Sequence, residues 1–156
     1  MGRKVVFLSL MYVLMYSCFA FAEEPKTARP WPESIDELVA NVKKSINVID
    51  MDAFKKVTEN KGDAIIIDVR EPDEYKSGFV PGAINLPRGL AEFKIWKMVA
   101  GYPDKTDTSK KIYIYCAIGG RAALTTKALK DVGFKDVTAV NMKMADWVKA
   151  GHPVER

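Results

Sequence analysis

The sequence is poor in the side chains that bind metals and cross-link small folds. Among 156 residues there is one histidine, His152, and there are two cysteines, Cys18 and Cys116. One imidazole and two distant thiols supply no three- or four-ligand zinc set, so no metal site is expected. A large charge excess is missing too: 24 Lys and Arg stand against 20 Asp and Glu, a formal balance of +4. Arg3 and Lys4 are the only charges before Glu23, and without them the balance is 22 against 20. That leaves no case for a surface built to bind nucleic acid or another polyanion. Internal repeats and low-complexity tracts are absent as well. With 48% apolar and 28% charged residues, the chain has ordinary globular composition, and at this length a domain buries about two-thirds of its unfolded surface. It needs neither metal nor disulfide to fold.

Residues 1–22 read differently from the rest. A short basic start is followed by uncharged, mostly apolar residues from Val5 and by Ala20-Phe21-Ala22 before Glu23-Glu24. Small residues at the first and third of those positions match a secretory cleavage site. The competing reading is an uncleaved anchor, because 18 uncharged residues just suffice to span a membrane. The expectation is a signal peptide over 1–22 and a periplasmic or secreted protein, with membrane contact only if that segment stays. Cleavage removes Cys18 and leaves Cys116 as a lone thiol in an oxidising compartment, so that cysteine is either buried and inert or used.

After the signal segment, Pro25, Pro30 and Pro32 among charged residues mark a linker. Ser34-Ile35-Asp36-Glu37 has capping-box spacing, and Leu38, Val39 and Val42 continue a helical pattern to about Lys44. Residues 23–45 are thus assigned to linker and amino-terminal helix, and 46–156 to one domain. Asn47 to Ile49 is a short extended segment, and Asp50 caps a helix carrying Met51, Phe54 and Val57. Ala64 to Val69 is an apolar, largely β-branched run broken only by Asp68, which suits a strand covered on both faces. Further strands are predicted at 83–86, 111–115 and 137–140, and helices at 72–76, 90–99, 121–132 and 144–149. Strands alternating with helices predict an α/β fold with a central, mainly parallel sheet flanked by helices in three layers.

The chemistry centres on Ile112-Tyr113-Ile114-Tyr115-Cys116-Ala117-Ile118-Gly119-Gly120-Arg121. A buried strand delivers Cys116 to its carboxyl end, the place where ligands bind in open α/β sheets. The loop Ala117, Ile118, Gly119 and Gly120 then turns into a helix amino terminus. Its backbone N–H groups form an anion cradle that favours thiolate over thiol, and Arg121 adds a cation for an oxyanion. The bland alternative is a small apolar cysteine at the top of the sheet, with the glycines serving only as a turn.

The chain resembles the single-domain rhodaneses, a sulfurtransferase family. Cys116 to Arg121 matches the family's six-residue loop Cys-x-x-Gly-x-Arg, residues 67–87 match a second motif, and Trp147 to Val154 matches the closing Trp-x-x-Ala-Gly-x-Pro-Val. The resemblance implies the rhodanese-like fold and transfer of sulfane sulfur from a small anionic donor such as thiosulfate or a polysulfide. The carrier would be a covalent Cys116 persulfide with no separate cofactor, and the acceptor a thiol, a cyanide-like nucleophile or a protein. A weakly catalytic sulfur carrier or binding module is the alternative. Phosphatase or arsenate reductase chemistry comes third, because related enzymes of that kind use a loop one residue longer.

Two departures from the family pattern bear on the donor. Ala117 stands where active members often carry Arg, and Met142-Lys143 replaces the usual Gly-Gly before the last helix. Lys143 is therefore a candidate to restore the missing charge, with Met142 narrowing the entrance. Asp68 is read as a capping or salt-bridging residue that orients the loop, pairing with Arg70 or Arg121. Arg70, Glu71 and Asp73 read most simply as a surface charge cluster, with Arg70 also counted beside Asp68 as a structural, orienting residue of the site. Arg88 is a weaker candidate for reaching the pocket, Phe79, Tyr75, Trp96 and Trp147 are packing residues, and His152 is expected in solvent.

Overall fold

The computed structural model describes residues 31–104 and 106–156, and the fold is carried by the unit from Glu33 to Arg156. The segment read as a signal peptide and most of the linker lie outside the described residues. Five strands, β1 (Asn47–Asp50), β2 (Ile65–Asp68), β3 (Ala83–Asn85), β4 (Lys111–Tyr115) and β5 (Asp136–Asn141), form one sheet in the order β1-β5-β4-β2-β3. Every pairing is parallel. The helices are α1 (Ile35–Lys43), α2 (Met51–Glu59), α3 (Pro72–Lys76), α4 (Ala91–Ile95), α5 (Gly120–Asp131) and α6 (Met144–Lys149). The helix expected over 90–99 is subdivided: a 3₁₀ turn at Arg88–Leu90 leads into α4, which widens into a π-turn at Trp96–Ala100 and stops at Gly101.

Alternation along the strands divides the core into two layers, as a period of two demands. Ile67, Val69, Ile112, Ile114 and Cys116 point to one face, where Ile95, Val99, Ala122 and Leu129 of the α4–α5 side cover them. Ile66, Tyr113 and Tyr115 point to the other, against Phe54 of α2 and Met144 and Trp147 of α6. Both faces are therefore apolar, which explains the continuous Ile run of β2. Phe54 centres the second layer, its ring 5.5 to 6.4 Å from those of Trp147, Tyr115 and Tyr113.

Caps fix the helix starts. Ser34 accepts from Glu37 N at 3.1 Å, and Asp50 Oδ1 accepts from Ala53 N at 2.8 Å. The returning bond of the capping box goes one residue further out than the usual pattern, from Glu33 N to Glu37 Oε2. The carboxyl-terminal residues clasp the middle of the chain: Phe79 and Glu155 exchange two backbone hydrogen bonds of 2.9 Å. Phe79 also stacks on Tyr75 at 4.0 Å, Trp147 is fully buried and Trp96 packs on Phe134 at 5.1 Å, as expected of packing residues. His152 is drawn in further than expected, half-buried and edge-on to Trp147 at 4.6 Å.

Among the described residues no helix is long and apolar enough to cross a membrane.

Candidate active site

β4 lies between β5 and β2, so Cys116 emerges from the interior of the sheet at its carboxyl edge. The residue is fully buried, and its Sγ accepts a hydrogen bond from Gly119 N at 3.1 Å. The loop thus turns one of its own backbone donors, Gly119 N, toward the sulfur. Gly119 has φ +87°, in the left-handed region, and a Cβ added there would stand 3.1 Å from Asn141 Oδ1. Glycine is required at this position both by conformation and by space. Gly119 O then accepts from Ala123 N at 3.0 Å as the first turn of α5 forms, and Ala117 O accepts from Met144 N at 2.9 Å, tying the loop to the start of α6. Ile118, at the loop apex, is 71% exposed.

Arg121 follows, but its guanidinium is not left free to face solvent anions. Both terminal nitrogens are engaged by Glu74 of α3, Nη1 to Oε2 and Nη2 to Oε1, each at 2.7 Å. Glu74 Oε2 also accepts from Glu71 N at 3.0 Å. The Arg121 hydrogen bonds, only partly opposed by burial, pull the Glu74 carboxyl down to about 2. Arg121 is shifted up by the same pair, with a smaller upward contribution from Cys116. Glu74 is the site residue that the sequence did not reveal, since its partner lies 47 positions away and neither residue is unusual locally.

Asp68 pairs with Arg70 and not with Arg121. Arg70 Nε and Nη2 both donate to the Asp68 carboxylate, at 2.9 and 2.6 Å to Oδ2, and Nη2 also donates to Gly78 O at 2.7 Å. The placing of Arg70 in a surface charge cluster is corrected: it is 4% exposed, whereas Glu71 and Asp73 are exposed. Burial is tolerable because the guanidinium's charge is matched and its Nε and Nη2 donors are used. The pair is fastened to the loop through β2 and β4. Val69 N donates to Tyr115 O at 3.0 Å, and the Tyr115 ring lies 5.9 Å beneath the Arg70 guanidinium. Burial and the Asp68 carboxylate push the Tyr115 phenol up, and its oxygen accepts from Val80 N at 3.1 Å.

Beside the loop an open pocket of about 370 Å³ is lined by Ile118, Asn141 and Lys143 together with Asp50, Asp52 and Asp146. Lys143 therefore stands next to the loop, but among carboxylates. Met142 turns into the core at 5% exposure and forms part of the pocket wall. Arg88 is exposed at the start of the 3₁₀ turn and does not line this pocket. Among the described residues no group of three or more His, Cys, Asp or Glu is placed to hold a metal ion.

A family model for the rhodanese-like domain matches residues 50–150. The chain belongs to the rhodanese-like family. Rhodanese-like relatives with assigned roles lie on both sides of the enzyme and carrier divide. The chain is 30% identical over 126 residues to the thiosulfate:glutathione sulfurtransferase of Saccharomyces cerevisiae, covering 76% of this chain and 87% of the yeast protein. It is 32% identical over 103 residues to the Bacillus subtilis protein YrkF, described as a candidate sulfur carrier, covering 66% of this chain but only 51% of that one. Among solved structures, the polysulfide-sulfur transferase homodimer of Wolinella succinogenes superposes with a TM-score of 0.61 at 27% identity, over 76% of this chain and 84% of that one. A Rhodopseudomonas palustris protein described as a candidate tyrosine phosphatase gives 0.67 at 27% identity, over 81% and 98%. These similarities put the rhodanese-like domain within a sulfurtransferase family.

Proposed function

We propose that this rhodanese-like domain transfers sulfane sulfur through a persulfide on Cys116. The observation that carries the reading is the Gly119 N–H aimed at Cys116 Sγ from a six-residue loop at the carboxyl end of β4. In the first half-reaction the thiolate attacks the outer sulfur of thiosulfate. The new Cys–S–S⁻ bond forms as the S–S bond of the donor breaks, and sulfite leaves with that bond's electron pair. In the second, a thiolate or cyanide attacks the outer persulfide sulfur and Cys116 is released as thiolate. Backbone N–H groups of Ala117 to Gly120 hold the charge that moves between donor, persulfide and leaving group, so no general base or separate cofactor is used. Arg121, clamped by Glu74, walls the cradle, and Lys143 adds positive charge at the rim. The Asp68–Arg70 pair orients the strand ends that carry the loop. A polysulfide serves as donor in the same way, and a protein thiol as acceptor. On the sequence of residues 1–22 we place the protein in the periplasm or outside the cell.

The test is the intact mass of the purified protein before and after thiosulfate or polysulfide, with Cys116→Ser alongside. Gain of one sulfur on the wild type alone, discharged by cyanide or a thiol, supports the reading. No gain from either donor sinks it.

A second reading, a sulfur carrier or protein-binding module with little turnover, is favoured by two features. Cys116 is fully buried, and the cation of the loop is already matched by Glu74. An enzyme turns over thiosulfate and acceptor repeatedly, a carrier loads once and holds, and a binding module is indifferent to Cys116→Ser. The six-residue loop sets phosphatase chemistry behind both.

A further inference from the structure

Helix α1 lies outside the segment that the family model matches, yet it reaches the loop. Val39 Cγ2 stands 3.6 Å from the place a Cβ on Gly120 would take. Lys43, at the end of α1, donates from Nζ to Asn141 Oδ1 at 2.8 Å, and that same oxygen is the atom packed against Gly119. One amide side chain therefore separates the Lys43 ammonium from the backbone that cradles Cys116. The hydrogen bond sets the position of the charge without neutralising it, since the amide is uncharged. Among the described residues no carboxylate lies within ion-pair distance of Lys43.

Acids also stand near the other cations of the loop. Arg121 is matched by Glu74, and Lys143 shares its pocket with Asp50, Asp52 and Asp146. Position 117 contributes none, being alanine. An attack of thiolate on thiosulfate gathers three negative charges at one place, so an uncompensated cation within about a Debye length favours that encounter over one with a neutral reagent. Resting on the sulfur-transfer reading, we propose that Lys43 is a specificity-determining residue that makes Cys116 selective for anionic sulfur donors. Asn141 is the arm that holds its charge against the loop.

The experiment uses the full chain with Lys43→Gln and Lys43→Arg at low ionic strength. Two rates are read by mass at the Cys116 peptide: alkylation by iodoacetate against iodoacetamide, and sulfur loading from thiosulfate. Lys43→Gln is expected to lower the iodoacetate-to-iodoacetamide ratio about threefold and thiosulfate loading about fivefold. The iodoacetamide rate stays unchanged, Lys43→Arg restores both values, and the difference shrinks in 0.5 M salt as screening requires, with a Debye length of about 4 Å. An unchanged ratio in Lys43→Gln, equal slowing with both reagents, or failure of the wild type to react with either overturns the proposal. If the ratio shifts as expected while the wild type never takes up sulfur, the preference that Lys43 gives for anionic reagents stands, but the sulfur-transfer reading falls and with it the role toward sulfur donors. If sulfur loads normally and the ratio does not shift, only the role of Lys43 falls.

Discussion

Glu74 and Arg121 meet fork to fork across the mouth of α5, two bonds of 2.7 Å joining residues 47 positions apart. The contact links α3 to the loop and uses both guanidinium ends at once, the geometry in which an exposed ion pair contributes most. Its partners are 31% and 37% exposed, so solvent screening holds the contribution to about 1 kcal/mol. The sign follows from the shift. The folded-state carboxyl is depressed to about 2 from an unfolded value of 4.5. The stabilisation is therefore fully present above 4.5 and is lost as pH falls toward 2. Glu74→Gln is expected to lower stability by about 1 kcal/mol at pH 7. In urea titrations across pH, the gap between variant and wild type should close through that window.

Asp68 and Arg70 offer a sharper test because both are buried. Asp68→Asn keeps one acceptor oxygen but removes the charge and sets an amide NH₂ against the Arg70 Nε and Nη2 donors, leaving the buried guanidinium's charge unmatched. Asp68→Asn is expected to cost about 3 kcal/mol in chemical denaturation. A loss below about 1 kcal/mol would mean that water reaches Arg70 and that the pair does little to hold the strand ends.

Gly119→Ala meets two obstacles at one atom: a left-handed φ and the Asn141 amide 3.1 Å away. The expected destabilisation is about 1–2 kcal/mol, leaving the fold intact by circular dichroism. Sulfur loading should fall by more than tenfold, since shifting this residue moves the N–H that faces Cys116 Sγ. Near-wild-type loading would show that the donor need not point at sulfur.

Tyr115→Phe removes the acceptor of the buried Val80 N–H. The orphaned donor should cost about 1–3 kcal/mol, measured as a lower midpoint in thermal or urea unfolding. The phenol itself, shifted up by burial and by Asp68, should stay protonated near pH 10 where an exposed tyrosine ionises. A difference titration of wild type against Tyr115→Phe reads this directly.

Local signals made most of the fold legible. Ser34 and Asp50 cap the helices they were expected to cap, and the unbroken Ile65-Ile66-Ile67 run marks a strand covered on both faces. Cys116 and its glycines announced the loop because strand, cysteine, turn and helix are contiguous. Two of the missed features depend on contacts distant in sequence. Nothing near Glu74 tells that it clamps Arg121, and nothing near Lys43 tells that it reaches Asn141, 98 residues away. The acids that adjoin Arg70 suggest a surface position, yet the Asp68 two residues back draws it inside. The subdivision of the helix after Arg88 escaped as well, since its apolar spacing suits either helical form.

The order of strands also bears on how the molecule comes together. Among the described residues β1 is the first strand in chain order, and its one sheet neighbour is β5, the last. Helix α1 and its lysine precede β1 directly, so during synthesis this part of the chain gains its strand partner only after residues 136–141 have been made. Pairings of such long sequence separation form slowly compared with local ones. The strand, loop and helix around Cys116 are contiguous in sequence and can form earlier. Refolding followed at two points is therefore expected to show Cys116 becoming shielded from alkylation before Lys43 reaches Asn141, with β5 inserting between its two neighbours as the closing event.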